Sequence, residues 1–215
     1  MSASPAPFLQ VATKAEAVYQ ELRGRILSSV LLPGSTISQE GLAQQLGVSI
    51  TPLREALRRL EAEGLVKTLA HRTMTIPPLT RREVRELYAV RLQLDPLAAR
   101  LAAENSSKEA IAEILRLASA PVDNEPLTAN RRFHRAIYVN SHNIVLIELL
   151  EQLWDRTDRY RLLVLQDSNL NKKAREEHVR IAQAIEAREA DQVGPLMYNH
   201  IEATLRQLEK MTSDV

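Results

Sequence analysis

Residues 42–66, LAQQLGVSITPLREALRRLEAEGLV, leave this chain few ways to begin folding. Leu42, Ala43 and Leu46 recur at helical spacing and stop at Gly47, a residue free to take a left-handed turn. Thr51 is the expected cap of a second helix and Pro52 its first helical residue. Leu53, Ala56, Leu57 and Leu60 then form the buried stripe, and Gly64 closes the helix. A helix, a short glycine turn and a helix opening on small polar residues follow helix-turn-helix logic. The second helix of such a pair enters the major groove with its N-terminal residues against base edges. Arg54 is placed to fork onto guanine or phosphate, and Ser49 and Thr51 to hold phosphate oxygens. Arg58 and Arg59, further along, suit backbone contacts or salt bridges. The plainer alternative is a small helical module whose arginines only solvate its surface.

The flanks extend this reading. Val18, Leu22, Ile26 and Leu27 mark an earlier helix that ends before Pro33 and Gly34, and Ser38 can cap the next one. Residues 65–69 and 74–76 have the length and pattern of two paired strands. Pro77 and Pro78 then break any helix and favour an extended connector. Immediately afterwards Thr80 and Glu83 have capping-box spacing. Five of the six glycines precede this point, and the remainder is dense in Leu, Ala, Glu and Arg. The expectation is two domains, residues 10–78 and 79–215, in a mainly α protein. The second part has no convincing strand. Capping signals at Thr80, Ser106 or Ser107, Asn143, Asn171 and Asp191 divide it into about six amphipathic helices, the pattern of an antiparallel all-helical bundle.

Bulk properties narrow the function. Hydrophobic residues make up 45% of the chain and charged residues 26%, the balance of a globular protein. No run approaches the roughly 20 apolar residues of a membrane helix. The N-terminal stretch MSASPAPFLQ lacks the features of a signal peptide, so a cytoplasmic location is expected. Without cysteine there is no disulfide framework, thiolate metal site or cysteine nucleophile. The net charge of +1 is uninformative, so a nucleic-acid surface must be local.

A second constellation lies in residues 130–138, NRRFHRAIY. His134 shares a stripe with Leu127, Asn130 and Ile137. His178 lies with Ala174, Ile181 and Ile185, and His200 with Val193, Met197 and Leu208. Each histidine therefore points inward from a different helix. A lone histidine on an apolar face is usually a hydrogen-bonded core residue, whereas three together can be ligands converging on a divalent cation. Periodicity alone leaves both readings open.

Residues 33–66 closely resemble the winged-helix domain of GntR-superfamily bacterial transcription regulators, with PG, LA..LGVS, PLREAL..L and EGLV in order. The resemblance implies a wing from residues 65–76, a homodimer on a two-fold-symmetric double-stranded DNA operator, and Arg54 as a DNA contact beside Thr51. Two positions depart from the pattern. Ile50 stands where arginine is usual and offers only apolar contact, such as to a thymine methyl. At the wing tip Ala70, His71 and Arg72 replace the usual glycine turn, and His71 and Arg72 can still reach a minor groove or a phosphate.

Residues 80–212 resemble the FCD ligand-binding domain of the FadR-like branch. Its metal-binding members carry Asp-x-x-x-His on one helix and a histidine on each of two later helices. Here the set reads Asn130, His134, His178 and His200. The resemblance implies a divalent metal, zinc first with nickel or manganese as alternatives, in contact with a small carboxylate. Asn130 stands in the aspartate's place. A neutral amide is a weaker ligand, so three outcomes follow: a three-histidine site with Asn130 as weak ligand, a site loaded only with its anionic effector, or a metal-free pocket. The resemblance also marks Arg91, four residues before Asp95, for bidentate pairing with an effector carboxylate.

The expectation is a DNA-binding transcription regulator, a repressor and not an enzyme, controlled by a small organic acid at a metal site. The alternatives are a three-histidine metal-dependent hydrolase or lyase, and a sensor for which the cation is the signal. The hydrolase lacks an obvious general base, because Glu177 projects about 100° from His178 around its helix.

Overall fold

The structure of the chain, a computed structural model, describes residues 13–69, 73–120, 126–165 and 167–212. It separates into two compact units that meet in sequence between Pro77 and Pro78.

The first unit holds α1 (Lys14–Leu27), β1 (Thr36–Ile37), α2 (Gln39–Leu46), α3 (Ile50–Ala62), β2 (Lys67–Thr68) and β3 (Met74–Thr75). Thr13 and Ser38 cap α1 and α2 by accepting from the amides of Glu16 and Gly41. Gly47 takes φ 63° between α2 and α3, and Gly64 takes φ 73° after α3, conformations that cost glycine little. Helix α3 begins at Ile50 with Ser49 at its cap position, so Pro52 lies inside the first turn and not at its first position. The two expected strands pair antiparallel, Lys67 opposite Thr75 and Thr68 opposite Met74. A third strand, β1, joins the other edge of β3, with Thr36 opposite Thr75. Leu22, Leu53, Leu57, Leu60, Leu65 and Ile76 form a dry core under helices and sheet.

The second unit holds six helices among the described residues: α4 (Arg81–Asn105), α5 (Lys108–Ala118), α6 (Pro126–Val139), α7 (Ile144–Leu165), α8 (Ser168–Glu186) and α9 (Ala190–Met211). Long α4 and α9 form its most extensive helix pair. Ser107 caps α5, and Asn143 accepts from the amide of Leu146 in α7. Asp167 caps α8, four residues ahead of the expected Asn171. Only half of the capping box at α4 forms. Thr80 accepts from the Glu83 amide, but the Glu83 carboxylate turns to α7, where Tyr160 donates at 2.5 Å and Arg159 at 2.8 Å. The Thr80 amide is met by the Tyr160 hydroxyl instead. The core of this unit gathers Tyr88, Phe133, Tyr138, Trp154, Ile181 and Met197, and the candidate site lies against it.

Candidate functional site

In the first unit four of the expected DNA-reading residues, Ser49, Thr51, Arg54 and Arg58, lie on or next to α3 and are exposed. Ser49 and Thr51 are exposed, and the Ser49 hydroxyl makes no capping bond. Arg54 and Arg58 are exposed and line one groove with Gln39, Glu61 and Thr68. Arg54 Nε donates to Gln39 Oε1 at 3.2 Å, which holds the guanidinium beside α2. Arg59 is drawn away from that face, stacking on Tyr19 and pairing with Glu16. Ile50 is half-buried against the core of the unit, so only part of its side chain is open to a thymine methyl. His71 and Arg72 lie outside the described residues.

In the second unit α6, α8 and α9 bring His134, His178 and His200 together. All three are buried, and their ligand atoms lie within 4.8 Å of one another. His200 Nε2 is 3.3 Å from Nε2 of both His134 and His178. Nitrogens bound at 2.0–2.1 Å around a tetrahedral cation stand about 3.3–3.4 Å apart, so the spacing fits a common divalent ion. Protonation is disfavoured throughout. Burial, then the charge of Arg161, holds His134 well below the ordinary histidine value. Burial followed by His200 and Arg161 does the same to His178. His200 is lowered by burial, partly offset by Glu177. Neutral imidazoles are the form that binds metal.

Supporting contacts orient the rings. Glu177 Oε2 lies 2.8 Å from His200 Nδ1, which places the proton there and turns the Nε2 lone pair toward the other two histidines. Glu177 does point away from His178, but toward a ring on another helix. Phe133 stacks on His178 with centroids 4.1 Å apart. The Tyr138 hydroxyl donates to Asp95, accepts from Trp154 Nε1 at 2.7 Å and lies 3.4 Å from His134 Nδ1. Asn130 is buried and shares a cavity of about 20 Å³ with Arg161, His200 and Thr204. That is space for about one water.

Arg91 is fully buried, and the carboxylate in its fork is the chain's own Asp95. Its Nε and Nη2 donate to Asp95 at 3.2 and 2.8 Å, the bond geometry favoured one turn apart on α4. The expected bidentate grip on an effector is therefore already occupied, and Nη1 alone lacks a protein acceptor. Burial lowers the Arg91 pKa, but Asp95 and the nearby tyrosines outweigh it and the net shift is upward. The residue that sequence reasoning missed is Arg161 of α7. It is buried, stacks 3.4 Å from the Trp154 ring centroid and lines the cavity beside Asn130 and His200. Only its place among the apolar α7 residues Trp154, Leu163 and Val164 hinted that this arginine turns inward.

Residues 14–76 match the gntR family of bacterial regulatory proteins, and residues 86–203 match the FCD domain. The chain is 35% identical over 146 residues to the HTH-type transcriptional regulator McbR of Escherichia coli (strain K12), a match spanning 65% of this chain and 66% of McbR. It is 31% identical over 216 residues to the uncharacterised HTH-type transcriptional regulator BphR of Paraburkholderia xenovorans (strain LB400), spanning 94% of this chain and 88% of BphR. It is 24% identical over 198 residues to the HTH-type transcriptional repressor GlaR of Escherichia coli (strain K12), spanning 85% and 90%. The solved structure of E. coli McbR/YncC superposes with a TM-score of 0.75 at 25% identity, covering 94% of this chain and 99% of that one.

Proposed function

Because this chain belongs to the gntR family of bacterial regulatory proteins and carries an FCD domain, we propose that it is a repressor whose operator affinity is set by a small organic acid bound at a metal centre. That it is a DNA-binding transcription regulator, and not an enzyme, follows from the family and its named relatives. Residues 10–78 read DNA, with Arg54 at a base edge or phosphate and Ser49, Thr51 and Arg58 on the backbone. His71 and Arg72 extend the contact from the wing. Residues 79–215 bind the effector and form a homodimer, matched to a two-fold operator in the cytoplasm. A repressor role accords with the name of GlaR.

One observation supports the metal reading: His200 Nε2 stands 3.3 Å from Nε2 of both His134 and His178, the ligand atoms of all three buried rings lie within 4.8 Å of one another, and Glu177 backs His200. Zinc suits three imidazoles well and nickel is the first alternative, while manganese, which favours oxygen ligands, suits this set least of the three. His134, His178 and His200 hold the ion and Asn130 lies beside it as a weak fourth ligand. Bound there, a cation would supply Lewis-acid attraction for an effector carboxylate, and Arg91 Nη1, which lacks a protein acceptor, would supply a further donor. Effector and operator are then coupled reciprocally, each changing the other's affinity by one factor.

A panel of small carboxylates in a thermal-shift assay, with and without chelator, tests this. A ligand that binds only the folded state raises the melting temperature as its concentration passes its dissociation constant. The expected result is a stabilising acid whose effect vanishes on chelation and which weakens binding to the operator upstream of the chain's own gene, read by fluorescence anisotropy. Sequence-specific binding that survives Arg54→Ala would show the reading helix to be wrong. A full DNA response to the acid in chelated protein would remove the metal from the mechanism.

A further inference from the structure

Arg54 stands in the second turn of α3, and its one hydrogen-bond partner among the described residues is Gln39, the first residue of α2. The bond runs from Nε to Oε1 at 3.2 Å and joins positions 15 apart in sequence. Guanidinium nitrogens only donate, so the Gln39 oxygen faces Arg54 and its amide nitrogen faces the other way. There that nitrogen meets Met74 Sδ of β3 at 3.3 Å. Gln39 is half-buried and Met74 buried, so the amide is seated between α2, α3 and the sheet. With Nε taken, Arg54 keeps Nη1 and Nη2, and neither makes a hydrogen bond among the described residues. These two nitrogens form the outer edge of the plane. They present a parallel pair of donors, the arrangement that fits O6 and N7 of guanine.

Two further features separate a base edge from a phosphate. Gln39 is neutral, so it fixes the guanidinium without cancelling its charge as a carboxylate would. The groove is also not uniformly basic: Glu40 and Glu61 line it together with Arg54 and Arg58, and all four are exposed. Carboxylates beside the guanidinium repel a phosphate but accept the neutral edge of a base pair. We propose that Gln39 is a positioning residue for sequence reading, which holds Arg54 with its Nη edge outward and so makes it select a guanine instead of gripping a phosphate. This rests on the reading above that Arg54 touches DNA, and it decides between the two contacts left open there. Gln39 acts without touching DNA itself. An arginine side chain has many rotamers, and fixing one before the encounter removes part of the ordering cost of binding.

In the test, the full chain selects duplexes from a random DNA library, and each base pair of the tightest duplex is then substituted in turn. Fluorescence anisotropy over a range of salt reads the affinities. The expected profile contains a G·C pair whose substitution weakens binding about tenfold or more. Arg54→Ala is expected to abolish that penalty. Gln39→Leu, which removes the acceptor but keeps similar bulk, is expected to cut it by about three- to tenfold at that pair alone. Its salt dependence stays that of the unaltered chain, because no phosphate contact is lost. Gln39→Glu brings back the acceptor and with it the guanine preference. Melting curves check folding, and Gln39→Ala takes the place of Gln39→Leu should the latter not fold. The inference is overturned if Gln39→Leu keeps the full guanine penalty, weakens every duplex alike, or relaxes a different base pair. It is equally overturned if Arg54→Ala relaxes no pair and lowers the salt slope by about one, the mark of a phosphate contact. If Arg54→Ala changes neither profile nor slope, the reading helix itself is wrong, which is a different result.

Discussion

An amide at position 130 changes the charge of the histidine pocket by one while barely changing its shape. Asn130 is buried one helical turn before His134, so its head group is held close to the ligand set. Restoring a carboxylate with Asn130→Asp is therefore expected to tighten zinc binding by roughly tenfold to a hundredfold, as a charged ligand replaces a neutral one. Competition against a fluorescent chelator measures this, and an unchanged affinity would mean that residue 130 does not face the ion. Glu177→Gln is expected to act in the opposite direction, weakening zinc by about 10- to 100-fold through the lost support of His200. Its helix content stays unchanged. The three histidines were legible in the sequence because each sits on a 3.6-residue apolar stripe. Glu177 was not, because spacing tells where a side chain leaves its own helix and not which ring on another helix it meets. The Arg91–Asp95 pair was open to reading from its four-residue spacing alone. Arg161 was not, since an arginine in a helix normally reads as solvated.

At the scale of elements, local signals were read well and long-range ones poorly. The caps at Ser38, Thr80 and Ser107 are short-range hydrogen bonds written in three or four residues. Strand β1 is two residues long and exists only because β3 pairs with it across almost forty positions. The capping box at α4 fails for a related reason: Tyr160 and Arg159, from the distant α7, compete successfully for Glu83. Tyr160 thereby acts as a clasp between α4 and α7, accepting from the Thr80 amide and donating to Glu83. Tyr160→Phe removes both bonds and leaves two polar groups in partly buried surroundings. The expected cost is about 1–3 kcal/mol in urea unfolding of the second unit, with the proposed operator contacts on α3 untouched. A loss under about 0.5 kcal/mol would mean that Arg159 satisfies Glu83 on its own and that water serves the Thr80 amide equally well.

At the scale of the molecule, the two units respond to different chemistry and can be perturbed separately. The composition shift and the paired prolines announced this division, because both are properties of the chain itself. In the first unit the Tyr19 hydroxyl donates to Glu63 at 2.9 and 3.0 Å, joining α1 to the end of α3. Burial, then this hydrogen bond, pushes its pKa from 10.0 up to about 12. Between those values the folded state keeps a proton that the unfolded state has lost. Stability from Tyr19 is therefore full below pH 10 and falls as pH rises toward 12. Tyr19→Phe removes that slope. On the proposed reading the second unit answers to metal instead. Zinc at a hundred times its dissociation constant adds about 2.7 kcal/mol to a state that binds it, or roughly 10 °C in the melting temperature of a domain this size. Calorimetry at neutral pH with and without chelator is thus expected to move one transition by that amount. Raising the pH above 10 is expected to move the other, and only in protein that retains Tyr19. If chelation shifts neither transition, the three histidines are a packed core and hold no ion. If it shifts both equally, the units unfold as one, and the boundary between Pro77 and Pro78 marks no thermodynamic division.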